Sequence, residues 1–185
     1  MLVVGDRLYF IASQEVDGYT VPQLMNSDGT PEATLPVPGM PSPSYNSPLA
    51  FAGQSLFFTA YDDKTAYTPE LWHLEVALPS GDPGTATRLE VNPNGGSSPS
   101  HFNSLGNLLV FGANDGTYGY QIWRSDGTQA GTYPVSNFND GLPYNPYVPI
   151  ILVSSDGLLL YSYLTEYWVT DGNLENTNEL TSLEA

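Results

Sequence analysis

The chain has 185 residues, 41% of them apolar, which is enough for one domain with a buried core and too apolar for a disordered segment. Four Lys and Arg oppose twenty carboxylates for a net charge of −16, a field that repels nucleic-acid phosphates and anionic lipid heads. Cysteine is absent, which excludes disulfides and thiolate metal sites, and no apolar run is long enough for a transmembrane helix.

From the N-terminus, the same order of elements recurs four times. The first copy opens with a short strand, Leu2 to Val4, a Gly5-Asp6 turn and a second strand LYFIA from Leu8. A third strand over Leu24-Met25 runs into the turn Ser27-Asp28-Gly29-Thr30, and a fourth covers Leu35 to Val37. The second copy has Leu49 to Ala52, a Gly53-Gln54 turn, LFFTA from Leu56 and a third strand at Leu71-Trp72. Here the Asp-Gly turn is replaced by LEVALPSGDPGT, an insertion expected to project as a loop before the fourth strand, Arg88 to Val91. The third copy reads Phe102 to Leu105, Gly106-Asn107, LLVFGA, Ile122-Trp123, Ser125-Asp126-Gly127-Thr128 and Tyr133 to Val135. The fourth reads Ile150 to Ser154, Asp156-Gly157, LLLYSY, Tyr167-Trp168, Thr170-Asp171-Gly172-Asn173 and Glu179 to Leu183. Gly-Asp, Gly-Asn and Asp-Gly between apolar runs signal two-residue hairpins, because the primed turns need positive φ. The second strands are almost continuously apolar, as strands covered on both faces are.

The apolar triplets begin at Leu8, Leu56, Leu109 and Leu159, a spacing of about 50 residues. Repeats of this length that cannot bury their own faces predict an all-β fold, a β-propeller of four blades with four antiparallel strands each. The chain is then a single domain, 1–185, with blades over approximately 1–38, 49–92, 101–138 and 150–185. Four whole repeats favour a self-closed monomer over two chains joined head to tail in an eight-bladed ring, since closure covers both end faces.

The motif QIWRSDGTQAGT from Gln121 to Thr132, with Glu70-Leu71-Trp72 in the second copy, resembles the bacterial repeat proteins named for E-L-W-x-x-D-G-T-x-x-G-T. The resemblance covers essentially the whole chain, although Met25 stands for Trp in the first copy and Asn173 for Thr in the fourth. It implies a propeller architecture and a secreted or cell-surface protein, and it brings no catalytic residues. The opening MLVVGDRLYF has no basic start, sustained apolar stretch or small-residue cleavage site, so an export signal is expected outside this sequence.

Binding residues are expected on the face shared by the loops after each second strand and the segments between blades. These supply Asp17 and Tyr19, Asp63 and Tyr67, Asp115 and Tyr118, and from the blade crossings Tyr45, Tyr144 and Tyr147. Tyr rings stack on the C–H faces of sugars while carboxylates and amides take hydroxyls, and the same residues suit protein interfaces. Rings that merely cover blade edges account for the pattern equally well. No cofactor is expected; calcium has weak support from Asn114-Asp115-Gly116 and Asp62-Asp63, since no alternating Asp loop is present. The histidines, His73 and His101, lie outside any nucleophile-elbow pattern. Twenty carboxylates make some close pair inevitable, so glycoside cleavage stays open as an alternative without being indicated. Gln23, Glu70, Gln121 and Glu166 share one repeat position, which points to a structural bond. The resulting expectation is a non-enzymatic extracellular module for a carbohydrate or protein partner, without nucleic acid or membrane insertion. Assembly with other propeller repeats is the alternative among non-enzymatic roles.

Overall fold

The computed structural model describes residues 1–61, 68–138 and 147–180. They form an all-β structure of four antiparallel four-stranded sheets, each a meander of consecutive strands. The first sheet contains β1 (Leu2–Val4), β2 (Arg7–Val16), β3 (Tyr19–Ser27) and β4 (Leu35–Pro36). The second contains β5 (Ala50–Ala52), β6 (Ser55–Ala60), β7 (Glu70–Ala77) and β8 (Asp82–Leu89). The third contains β9 (Ser100–Leu105), β10 (Leu108–Asn114), β11 (Tyr120–Ser125) and β12 (Tyr133–Pro134). The fourth contains β13 (Ile150–Ser155), β14 (Leu158–Tyr163), β15 (Glu166–Thr170) and β16 (Asn178–Leu180).

The predicted hairpins have the backbone their residues require. Gly5, Gly53 and Gly106 sit at φ between 56° and 61°, each as the first of two turn residues, the position that demands Gly in a II′ turn. Asp156 and Gly157 are both at positive φ, as a I′ turn needs.

Alternation along the second strands decides which neighbour each side chain meets. Leu56, Phe58 and Ala60 of β6 share a cluster with Val4, Tyr9 and Leu24 of the first sheet. Phe57 points the other way and packs with Leu109, Phe111 and Ala113 of β10. Val110 in turn packs with Leu159, Tyr161 and Tyr163 of β14. Where two sheets meet, the middle member of the earlier sheet's triplet therefore faces the outer members of the later sheet's triplet. The aromatic of the third strand follows the same rule: Trp72, Trp123 and Trp168 each pair with a triplet residue and lie in the cluster with the preceding sheet. By the same alternation Leu8 and Phe10 lie on the outer face of the first sheet, and Leu158 and Leu160 on the outer face of the fourth. Of these Leu158 is exposed and the others are half-buried. None of the three clusters of the described residues joins the fourth sheet to the first.

The insertion in the second repeat is not a loop. β7 and β8 continue past the length of the other repeats, with Val76 opposite Pro83 and Ala77 opposite Asp82, so the extra residues are absorbed as hairpin. Its tip reaches the first sheet, where the Tyr9 hydroxyl donates to the Gly81 carbonyl at 2.8 Å and Arg7 Nη2 donates to Asp82 Oδ1 at 3.0 Å. The approach is close: a Cβ on Gly81 would stand 2.1 Å from the Val4 carbonyl oxygen. Alternation of Leu74, Val76 and exposed Glu75, Ala77 is a strand pattern that a composition reading of Pro and Gly as loop formers overrides.

Candidate functional site

The repeated S/T-D-G-T motif is a self-contained hydrogen-bonded turn. Ser27, Ser125 and Thr170 each accept from the amide two residues on, at 3.0, 3.1 and 3.0 Å. Asp28, Asp126 and Asp171 each accept from the amide of the fourth motif residue at 2.9 Å. The closing Thr34, Thr132 and Thr177 share a hydroxyl–hydroxyl bond with the first motif residue and donate back to a carbonyl of the turn. Burial is the largest single influence at Asp126 and Asp171 and pushes them up, but these bonds together outweigh it, and at Asp28 the Thr30 bonds dominate, so all three carboxyls lie below the ordinary range. The motif is therefore occupied with its own backbone.

The shared Glu/Gln position at the start of the third strand ties the segment that leaves the sheet in the second and third repeats. In the second repeat the buried Glu70 accepts from the Ser97 hydroxyl at 2.5 Å and the Ser97 amide at 3.3 Å. Burial pushes its carboxyl above the usual range, against the opposing pull of those bonds and of Arg88. In the third repeat Gln121 Oε1 accepts from the Ser136 hydroxyl at 2.8 Å and the Phe138 amide at 2.9 Å. In the fourth, exposed Glu166 accepts from Trp168 Nε1 at 3.2 Å. The first repeat breaks the pattern. Gln23 Oε1 is buried and has no donor among the described residues. Beside it lies a cavity of about 500 Å³ between β3 and the segment from Pro36 to Pro43.

A second opening of about 410 Å³ lies between the turns of the second and third sheets, around Ser55, His73, Glu75 and Asp126. Ser55 Oγ stands 3.3 Å from His73 Nδ1, and burial lowers the histidine pKa while Glu75 and Asp126 raise it. A Cβ on Gly127 would lie 2.5 Å from Ser55 Oγ, so that hydroxyl is roofed by backbone and unsuited to attack a substrate.

The sequence-predicted site residues are distributed as follows. Asp17 lies exposed in the β2–β3 turn at φ 51°, and Tyr19, which opens β3, is 75% exposed. Tyr45 is 61% exposed, and its hydroxyl donates to the Thr20 carbonyl at 2.9 Å, which brings the first blade-crossing segment against the start of β3. Asp115 Oδ1 accepts from the amides of Thr117, Tyr118 and Gly119 at 2.8, 2.7 and 3.0 Å, so it shapes the β10–β11 loop and presents the exposed Tyr118. Tyr147 is exposed ahead of β13. Asp63, Tyr67 and Tyr144, like Asp62, lie outside the described residues. The structure thus gathers Asp17, Tyr19 and Tyr45 at one end of the first sheet. Sequence reasoning missed Gln23 and its cavity. The legible signal was Pro38, which stands where the third repeat has the donor Ser136.

Comparison with protein-family models, with curated proteins and with solved structures finds no match to this chain. Among the described residues there is no group of three or more His, Asp or Glu arranged to hold a metal ion. Among them, too, no helix is long and apolar enough to cross a membrane.

Proposed function

We propose that the four sheets are blades of a β-propeller and that the chain is a non-enzymatic, extracellular binding module for a carbohydrate or protein. Recognition runs through the Tyr- and Asp-rich face. The observation that carries this reading is a contrast between two classes of connection. In a four-stranded meander the β1–β2 and β3–β4 types of turn share one end, and the β2–β3 loops and the sheet-to-sheet segments share the other. The first end is closed by its own hydrogen bonds. The second holds Tyr19, Tyr45, Tyr118 and Tyr147, all exposed. Rigid rings with a polar tip, Tyr19 on the first residue of β3 and the others on connecting segments, give contact area at low entropic cost. The resemblance of the E-L-W-x-x-D-G-T motif supports the propeller and the surface location.

A glycan array beside a pull-down from the native source tests the proposal and separates the two partner classes. The Tyr19, Tyr45 and Tyr118 to Ala triple variant is expected to lose the ligand and to melt only a few degrees lower, about what the lost Tyr45–Thr20 bond accounts for. Binding that survives the triple substitution overturns the assignment of the face, and release of reducing sugar from a polysaccharide overturns the non-enzymatic reading.

The exposed Leu158, beside half-buried Leu160 on the outer face of the fourth sheet, favours a second reading, assembly with further repeats. Light scattering coupled to gel filtration checks it, a particle of twice the chain mass being the expected result of pairing.

A further inference from the structure

We infer that the cavity beside Gln23 is the specificity pocket of the loop face and takes the terminal unit of a neutral saccharide. This rests on the carbohydrate form of the reading above and locates it. The first argument is the comparison among repeats. Val37 donates to Leu24 at 2.8 Å as Val135 donates to Ile122 at 2.8 Å, so the two exit segments are in register and Pro38 stands at the place of Ser136. Ser136 gives Gln121 its hydroxyl donor, and Ser97 does the same for Glu70. Pro38 has neither hydroxyl nor N–H. Among the described residues of the first three repeats, the carboxamide of Gln23 is consequently the one member of this set left without the donor that Gln121 and Glu70 have, in a repeat that also opens a cavity there. A half turn about its terminal torsion, which is broad and two-fold, exchanges acceptor and donor toward the opening.

The second argument is the lining. Among the described residues no charged side chain lines the cavity; its polar side chains there are Gln14, Gln23 and Ser42, set among Pro22, Pro38 and Met40 and their apolar neighbours. Uncharged amides and a hydroxyl among apolar walls fit hydroxyls on a ring with apolar C–H faces. They fit an anion poorly, as does the net charge of −16. The third argument is the rim. The far wall is fixed, since the Ser44 amide donates to the Thr59 carbonyl at 2.9 Å and the Tyr61 amide to the Ser42 carbonyl at 3.0 Å, which pins it to the second sheet. Two residues along the chain from Pro43 and from Val21 stand the exposed Tyr45 and Tyr19, and the Tyr45 hydroxyl is held on the Thr20 carbonyl between Tyr19 and Val21. A volume of about 500 Å³ lies in the range of small-ligand pockets.

The test uses the three methionines as reporters. In protein labelled with ¹³C at the Met methyls, Met40 lies in the cavity wall, Met25 in the first sheet and Met1 at the terminus. The probes are cellotriose, xylotriose, mannotriose and chitotriose, with trigalacturonate as the anionic control. At least one neutral probe is expected to move the Met40 signal saturably and leave Met1 still, with trigalacturonate inert. Gln23→Leu removes the hydrogen-bonding group and Pro38→Ser supplies its internal partner; each is expected to weaken binding about tenfold or more. Pro38→Ser is also expected to melt no lower than the parent. Saturable binding that leaves Met40 unmoved, or that both variants retain unchanged, overturns the pocket while the loop-face reading stands. Tighter binding of trigalacturonate overturns the neutral ligand. If no probe binds while a glycan-array ligand is known, the pocket fails; if no saccharide binds in either assay, the carbohydrate reading fails with it.

Discussion

Replacing Glu70 by Gln is expected to stabilise the protein at neutral and alkaline pH. Glu70 is fully buried and takes two donors from Ser97, a hydroxyl and an amide. The equivalent Gln121 holds a hydroxyl and an amide on its single Oε1, so an uncharged side chain satisfies the same geometry. Losing charge assistance on two hydrogen bonds costs about 1 kcal/mol each. Removing the need to desolvate a carboxylate gains several kcal/mol, roughly 3–4 after relaxation, so the net is about 1–2 kcal/mol of stabilisation. For a domain of this size that is a rise in melting temperature of about 2–8 °C. The sign of the pH dependence follows from the direction of the shift. The folded pKa of Glu70 is raised by burial above its ordinary 4.5, so its contribution is fully present below that pH and is lost as pH rises through the folded pKa. The advantage of Glu70→Gln therefore appears at pH 8 and vanishes at pH 4. Paired thermal melts of parent and variant from pH 4 to 8 measure it. A variant that melts several degrees lower at pH 8, or a difference that is the same at both ends, refutes the reasoning.

Two further outcomes follow from the inter-sheet contacts. His73 is held neutral by burial against the opposing pull of Glu75 and Asp126, so its folded pKa lies below the ordinary 6.5 and its contribution is lost as pH falls below that value. His73→Gln should flatten the urea-denaturation midpoint between pH 7 and 5, and an unchanged slope would show that the ring is already solvated. Tyr9→Phe removes the bond to Gly81 and should cost about 1 kcal/mol, read as a fall in the same midpoint. The parent phenol is pushed up to about 12 mainly by burial, so phenolate absorbance at pH 10.5 should be the same in parent and Tyr9→Phe, and a lower absorbance in the variant would place Tyr9 in solvent.

The strand order and the hairpin turns were legible in the chain because they are local. A Gly at positive φ between two apolar runs leaves few choices, and period-two alternation fixes two faces for each strand. The spacing from Ser125 to Thr132 likewise contains its whole hydrogen-bond set within eight residues, so the motif carries its structure with it. What composition obscured was the second repeat's insertion, where Pro and Gly read as loop while exposed and buried positions kept strand alternation. The candidate site was legible only as a residue class, exposed Tyr on one kind of loop. That Tyr45 reaches Thr20, that Asp115 is spent on three amides, and that Gln23 differs from Gln121 depend on contacts between segments up to 25 residues apart. Such contacts are set by how a sheet's exit segment packs, and a single substitution, Pro38 at the place of Ser136, is enough to change a satisfied core amide into the wall of a cavity. The sequence alone determined the repeating meander, because turns and alternation act over a few residues. Only the tertiary structure decided which copies of the repeated side chains are consumed by the fold, because hydrogen-bond satisfaction is settled by what comes to lie alongside.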